Sequence, residues 1–285
     1  MSLPDHEAAF WAEACLCAED QYDLQGAEIL EPAIDARLAR AWAVRGFLTA
    51  LDAIFRKGPI SIDPRRRFWG WLLESVLKPG TFLAVIRGTD GWEEWVEDFE
   101  GDPCSRAPFP GLTEAGFGGI YSSMLFRRPG GPDTDPVLGI ANAVGHGSLT
   151  VTGHSLGAVQ AELLSFCLAS SMWLGARVAG RYIASPHPGN GDFSKAFGVR
   201  VPDHMMWRNV KDRVPQVPLG LGYCSVPRVT ELVPGGVVLV DDRDGLDLAA
   251  HHHATTYMAL ALQSRIPASS LLPIDGPYLA CLSFA

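Results

Sequence analysis

The feature that most constrains the fold is the pentapeptide Gly153-His154-Ser155-Leu156-Gly157, whose two flanking segments differ sharply in character. Residues 149–152 form an apolar, strand-like run, whereas residues 156–169 are rich in alanine and leucine, which is typical of a helix. Glycines on both sides of a serine allow a sharp bend, where larger side chains would collide with the strand or the helix. The pattern predicts a strand–turn–helix unit that presents Ser155 as a nucleophile beside the first amide groups of the helix.

Strand-like and helix-like segments alternate around this motif. Residues 81–86 and 177–184 are apolar runs typical of buried strands, and residues 114–126 indicate a helix. Such alternation predicts an α/β fold, with a mostly parallel central sheet and helices on both faces. Two earlier helices are expected over residues 5–20 and 34–55, and a hairpin over residues 67–86.

Length and charge narrow the possible functions. A chain of 285 residues, 47% of them hydrophobic and 19% charged, can bury a large core. A single domain over residues 1–285 is therefore expected, with N-terminal helices at about 5–56 and the motif-bearing core at about 65–262. The 23 basic and 32 acidic side chains give a net charge of −9, which disfavours nucleic acid as a partner.

Two further features bear on the compartment and on cofactors. No apolar run reaches the roughly 20 residues of a transmembrane helix, and the acidic start does not resemble a signal peptide. This favours a cytoplasmic protein, and a secreted one is the alternative if the chain is a trimmed mature form. The six cysteines lack zinc-site spacing and indicate buried thiols, with one or two disulfides as the alternative. No metal or organic cofactor is expected.

A serine hydroxyl needs a histidine that takes its proton and a carboxylate that orients the histidine. After a serine in this strand–turn–helix context, both partners are expected downstream. The downstream histidines are His187, His204, His251, His252 and His253. The last three open a helical segment near the end of the chain, and His252 is the preferred base. Consecutive helix positions point about 100° apart, so the three cannot share one site, which also weakens a zinc site.

For the carboxylate, Asp212 is the preferred candidate. It follows the apolar run 205–210 and precedes Pro215, which ends the strand and fixes a loop at the carboxyl edge of the sheet. The alternative is a surface aspartate paired with Arg213 or Lys211, worth at most about 1 kcal/mol. The other downstream candidates are Asp192, Asp203, Asp241 and Asp242.

Two groups are expected to hold a negative oxygen during the reaction. One is the amide of Leu156, directly after the nucleophile, and the second comes from the loop after the early strand. Thr89 is the natural second donor, because Arg87-Gly88-Thr89 directly follows residues 81–86 and a threonine offers a hydroxyl as well as an amide.

An amphipathic segment follows this loop. Trp92, Trp95, Val96 and Phe99 recur at helical spacing, and acidic residues fill the opposite face. The segment is predicted to be a short lid helix over about residues 90–99, which covers an apolar acyl-binding cleft and swings aside at a lipid surface. The alternative is a surface helix with its apolar stripe permanently buried.

Together these motifs resemble the class 3 (fungal-type) lipase family of the α/β-hydrolase superfamily, over about residues 81–257. The oxyanion block of the family is similar to Ile86-Arg87-Gly88-Thr89, with Trp95 and Asp98 in the lid region. Further blocks match in order at Gly116-Phe117 with Tyr121, at residues 153–157, at residues 186–190 with Phe193, and at residues 208–218. Glu114 stands where the family usually has a histidine.

The resemblance also bears on the other site residues and on the activity. It places the catalytic aspartate at Asp212, and the tyrosine of the histidine block, Tyr257, selects His252. It implies an α/β-hydrolase fold and a triacylglycerol lipase-like serine ester hydrolase that works through an acyl-enzyme. Its partner would be an ester or lipid substrate, at a lipid–water interface.

The resemblance leaves several activities open. Phospholipases, feruloyl esterases and polyester hydrolases share the same motifs, and an acyltransferase could use the same residues. The alternative from another class is a non-catalytic protein that binds a lipid or a protein partner in the same cleft.

Overall fold

The computed structural model describes residues 5–26, 28–54, 61–89, 102–172, 174–220, 222–233 and 251–263. The helices in these ranges are α1 (His6–Gln25), α2 (Ala36–Ala39), α3 (Ala115–Ser122), α4 (Pro136–Val144), α5 (Leu156–Ser170), α6 (Gly191–Arg200) and α7 (Ala254–Leu262). The strands are β1 (Trp42–Ile54), β2 (Ser61–Ser75), β3 (Thr81–Ile86), β4 (Pro103–Cys104), β5 (Thr113–Glu114), β6 (Leu125–Arg127), β7 (Asp133–Thr134), β8 (Ser148–His154), β9 (Val178–Ile183), β10 (Gly189–Asn190), β11 (His204–Asn209), β12 (Tyr223–Cys224) and β13 (Val229–Leu232).

Within the described residues, nine strands form the central sheet, in the order β13-β11-β9-β8-β3-β2-β1-β6-β7. The strands from β3 to β13 in this order run parallel, and β2, β1, β6 and β7 extend the sheet antiparallel. The predicted hairpin is the antiparallel pair of β2 and β3. Because the carboxyl ends of parallel strands meet at one edge, the residues that follow β3, β8 and β11 gather there.

The core lies on both faces of this sheet. On β3, Ala84 and Ile86 pack into the cluster that contains α5, whereas Leu83 and Val85 pack into the cluster that contains α1. Burial on both faces explains why β3 reads as a continuous apolar run. The sheet therefore lies between helices, which confirms the predicted fold class.

The predicted helix over residues 34–55 is wrong. Of the described residues 34–54, only Ala36–Ala39 is helical, and Trp42–Ile54 forms the long strand β1, paired with β2 along its length. Phe47 packs with the α1 side of the sheet and Leu48 with the α5 side. Since both faces of the strand are covered, its apolar residues do not alternate, and their spacing imitates that of a helix.

The other elements predicted within the described residues are present with shifted ends. The helix expected over residues 114–126 ends at Ser122, and β6 follows it. Glu114, which departs from the family pattern, caps this helix: its carboxylate accepts the Phe117 amide hydrogen at 2.7 Å. The position therefore has a local structural role in this chain.

Membrane-spanning helices, metal sites and disulfides can be assessed only among the residues that the structure describes. Among them, no helix is long and apolar enough to cross a membrane, and no cluster of His, Cys, Asp and Glu could hold a metal ion. The five cysteines in the described ranges are free thiols, and Cys281 lies outside these ranges.

Candidate active site

Ser155 lies at the sharp bend between β8 and α5. Its backbone has φ 58° and ψ −131°, a strained conformation that costs a non-glycine residue about 1–3 kcal/mol. A Cβ atom added to Gly153 would lie 2.3 Å from the Gly157 carbonyl oxygen, and one added to Gly157 would lie 2.1 Å from the Arg87 carbonyl oxygen. Both glycines are therefore required by close backbone contacts.

The hydroxyl of Ser155 is buried, and Oγ makes no hydrogen bond to any described residue. The Ser155 amide donates to the Ile183 carbonyl at 3.0 Å, which ties the bend to β9. Leu156 is the first residue of α5, where amide groups have no partner within the helix. A hydrogen bond from Ser155 to His252 is thus not formed in this geometry; in unliganded enzymes such bonds are often long and tighten around substrate.

Asp212 lies in the loop after β11 and is almost completely buried. Its Oδ1 accepts the Val214 amide hydrogen at 2.9 Å, and its own amide donates to the Asn209 carbonyl at 3.0 Å. Its Oδ2 lies 2.7 Å from Nδ1 of His252. These contacts fix the carboxylate in the core and exclude the alternative of a surface aspartate paired with Arg213 or Lys211.

His252 lies just before α7, and its ring is buried. The Asp212 carboxylate accepts the Nδ1–H, which leaves Nε2 as the nitrogen that can take a proton from a hydroxyl. Burial lowers the pKa of His252, although the Asp212 charge opposes this shift, and the nearby His154 lowers the pKa further. The neutral, basic form of His252 is therefore favoured near neutral pH.

Tyr257 adds a contact that the sequence did not reveal. Its hydroxyl donates to Asp212 Oδ2 at 2.7 Å and accepts the Asn209 amide hydrogen at 3.0 Å. Burial and the Asp212 charge hold the pKa of Tyr257 well above its usual value, so the phenol keeps its proton. The sequence argument used Tyr257 only as a spacing marker, and the structure shows that it holds the carboxylate that meets His252.

A small cavity of about 50 Å³ opens beside Ser155. Thr89 and Ser155 line it together, and the side-chain oxygens of both are buried without a hydrogen-bond partner among the described residues. Such a space holds one or a few water molecules, or the carbonyl of a substrate, but not a long acyl chain. The rest of its lining is mostly polar: Glu19, Tyr22, Asp23, Arg87, Gly88, His154 and His253.

The other downstream candidates do not meet the Asp212 carboxylate. His204 bonds through its two ring nitrogens to the Val201 and Pro227 carbonyls, and His187 bonds to the Pro218 carbonyl. His253 lines the cavity beside Ser155, whereas His252 contacts Asp212. Asp192 and Asp203 are exposed, and Asp241 and Asp242 lie outside the described residues.

The predicted lid also lies outside the described residues, so Trp92, Trp95, Val96 and Phe99 stay a prediction. Sequence reasoning missed Glu19 as well, because α1 carries no motif and the residue that Glu19 contacts, His154, is 135 positions away.

The sheet topology and the chain order of these elements define the fold, which is that of the α/β-hydrolases. Residues 83–221 match the family model of the class 3 lipases, which confirms the resemblance read from the motifs. This match supports a serine ester hydrolase of the lipase type. The comparison with curated proteins gives no match.

Solved structures of fungal lipases share the fold. A fungal lipase is 17% identical, with a TM-score of 0.61, and the alignment covers 91% of this chain and 97% of that one. Lipase II from Rhizopus niveus is 18% identical, with a TM-score of 0.56 and 79% of each chain covered. A triacylglycerol lipase whose catalytic centre is described as a serine protease triad is 16% identical, with a TM-score of 0.56, and 80% of this chain and 79% of that one are covered.

Proposed function

We propose that this protein hydrolyses carboxylic esters of lipids through an acyl-enzyme formed on Ser155. The observation that carries the proposal is the buried contact of 2.7 Å between Asp212 and His252, beside a strained serine bend at the same edge of the sheet. A serine at such a bend is weakly nucleophilic until an oriented histidine removes its proton.

The proposed reaction has two steps. His252 Nε2 takes the proton of Ser155 as Oγ attacks the ester carbonyl, and it then protonates the departing alcohol. In the second step His252 activates a water molecule, which releases the acid and restores the serine. Asp212 holds the imidazole in the tautomer with hydrogen on Nδ1 and stabilises its charged form in both steps.

In both steps, hydrogen-bond donors around the cavity stabilise the negatively charged oxygen of the tetrahedral intermediate. The Leu156 amide begins α5, and Thr89 contributes its amide and its buried hydroxyl. Donors fixed before the reaction are effective because they need no reorganisation when charge develops, and each is worth about 3 kcal/mol in the transition state.

The substrate proposed is an ester with a medium or long acyl chain. It is supported by the match of residues 83–221 to a lipase family model and by fold neighbours that are lipases. The small polar cavity beside Ser155 suits the ester carbonyl, so the acyl chain is assigned to the surface that the lid segment would cover.

A fluorophosphonate probe and a p-nitrophenyl ester series test the proposal. We expect the wild type to label covalently, Ser155→Ala to lose the label and about 10⁶-fold of kcat, and Asp212→Asn to lose about 10⁴-fold. Ser170→Ala, at the exposed end of the same helix, is the matched control and should keep full activity. An unlabelled wild type would refute the catalytic function, and a preference for acetate without activation by emulsified substrate would refute the lipid ester.

A further inference from the structure

We propose that Glu19, on α1, is a positioning residue for ester hydrolysis: through a cationic His154 it ties together the segments that carry Thr89, Ser155 and His252. The inference rests on the proposed function, and it adds an element that lies outside the family-matching residues 83–221.

The geometry consists of three hydrogen bonds. Glu19 Oε1 accepts the Gly88 amide hydrogen at 3.0 Å and the His154 Nδ1–H at 3.0 Å. Nε2 of His154 lies 2.8 Å from the backbone carbonyl of His252. Gly88 precedes Thr89, and His154 precedes Ser155, so one carboxylate and one imidazole connect the oxyanion loop, the nucleophile and the base.

The partners of His154 determine its charge. A carbonyl oxygen can only accept, so Nε2 carries a hydrogen, while Nδ1 faces a carboxylate oxygen that already accepts the Gly88 amide. Burial alone would lower the pKa of His154, but the Glu19 carboxylate raises it, and the charge of His154 in turn lowers the pKa of Glu19 against the effect of burial. Both ring nitrogens are therefore protonated, and the pair is a nearly buried ion pair, with side chains 6% and 24% exposed.

This cation faces the proposed base directly. The rings of His154 and His252 lie with centroids 4.8 Å apart and planes inclined by 31°. A positive charge at that distance disfavours a second one, which keeps His252 neutral until it receives the serine proton. The titratable and charged groups around the pair come from every element packed against it: Cys15, Asp20, Tyr22 and Asp23 of α1, Arg87 after β3, Asp212 after β11, and His253 and Tyr257 at α7.

The oxyanion loop is shaped around the same carboxylate. A Cβ atom added to Gly88 would lie 2.6 Å from Glu19 Oε1 and 3.3 Å from the His154 carbonyl oxygen. A glycine at this position lets the carboxylate reach the loop backbone next to Thr89. A carboxylate that only anchored α1 would not need to contact both the oxyanion loop and His154, which in turn contacts the segment that carries the base.

The test compares Glu19→Gln with Glu7→Gln. Glu7 also lies on α1 and also forms an ion pair, with Arg181 at 2.6 Å, but its side chain is 53% exposed and contacts no site residue. We expect Glu19→Gln to lower kcat about 10²-fold, with KM changed less than threefold, because a small misplacement of the reacting groups costs that much. Glu7→Gln should stay within twofold of the wild type.

Two further readouts separate positioning from a general structural role. Imidazole ¹⁵N NMR should show His154 as an imidazolium at pH 7 in the wild type and as a neutral ring in Glu19→Gln. Because the neighbouring cation is then lost, the acid limb of kcat/KM should move to higher pH in Glu19→Gln.

The outcomes are distinct. A folded Glu19→Gln with wild-type kcat, or a loss of kcat without change in the His154 charge and the acid limb, overturns the role of Glu19. If Glu19→Gln does not fold, the wild-type spectrum decides, since a neutral His154 at pH 7 overturns the proposal. A wild type that neither labels with fluorophosphonate nor hydrolyses esters overturns the proposed function instead, and with it any positioning role.

Discussion

Tyr257→Phe removes one oxygen from the most buried part of the candidate site. The Tyr257 hydroxyl bridges Asp212 Oδ2, at 2.7 Å, and the Asn209 amide, at 3.0 Å. All three residues are at most 1% exposed, so water cannot replace the lost atom without entering the core. The variant keeps the ring and its packing, and it removes only these two hydrogen bonds.

The expected loss of stability follows from the two groups that bond to the Tyr257 hydroxyl, the Asp212 carboxylate and the Asn209 amide. A hydrogen bond to a charged group contributes about 1.5–3 kcal/mol, and a buried amide hydrogen left without an acceptor costs about 1–3 kcal/mol. Allowing for partial relaxation, we expect the free energy of unfolding to fall by about 3 kcal/mol. The Asp212–His252 contact remains, so kcat should fall only about tenfold, the equivalent of one hydrogen bond of about 1.4 kcal/mol.

The assay is urea unfolding at pH 7, with initial rates on a soluble ester measured in parallel. Tyr182→Phe is the matched control: the Tyr182 hydroxyl is equally buried but donates to a neutral group, Ser165 Oγ, at 2.8 Å. It should lose about 1 kcal/mol of stability and no activity. Equal losses of stability in the two variants, or a change below about 0.5 kcal/mol in Tyr257→Phe, would refute the argument that the phenol supports a buried carboxylate.

Two further predictions concern pH. Since burial and the neighbouring His154 cation lower the pKa of His252, kcat/KM on a soluble ester should stay high as pH falls and decline only through a midpoint below 6.5; a midpoint at 7 or above contradicts the environment assigned to this base. Glu13, buried on α1, has its pKa raised by burial from 4.5 to about 7, so the wild type binds a proton on folding and loses stability as pH rises through that range. Urea unfolding should show wild type losing about 3 kcal/mol relative to Glu13→Gln between pH 4.5 and 8, and a pH-independent difference would contradict the shift.

Much of the fold could be read from local pattern. The strand at 81–86, the strand before Ser155 and the helix after it were predicted almost to the residue, because the glycines and the apolar runs there report the local backbone. β1 was missed, because its burial on both faces is a property of the whole sheet and leaves no alternation in the sequence. The single-domain boundaries and the lid stay predictions.

The candidate site likewise contains residues that local sequence pattern could place and residues that it could not. Ser155 and Thr89 follow strands directly, so their placement at the carboxyl edge follows from chain order. The contact of Asp212 with His252 spans 40 positions. The sequence favours Asp212 from its place after a strand and His252 from its place near a late helix, and the family resemblance selects the same two residues. Their catalytic roles stay predictions that the proposed variants test. Glu19 had no local signal, since a glutamate on a helix is ordinarily a solvated residue.

His154 shows why the family-matching segment is not sufficient to build this site. A buried imidazole needs partners for both nitrogens, and it is placed beside His252 because it directly precedes the serine bend. Its partners are Glu19 on α1 and the carbonyl of His252 before α7, and neither lies within residues 83–221. The same two helices are joined by the hydrogen bond from the Asp5 amide to the Ala261 carbonyl at 2.7 Å. The two partners of His154 therefore come from opposite ends of the described chain, which must pack together next to the nucleophile. A chain cut to residues 83–221 would keep Ser155 and His154 but lose both hydrogen-bond partners of His154.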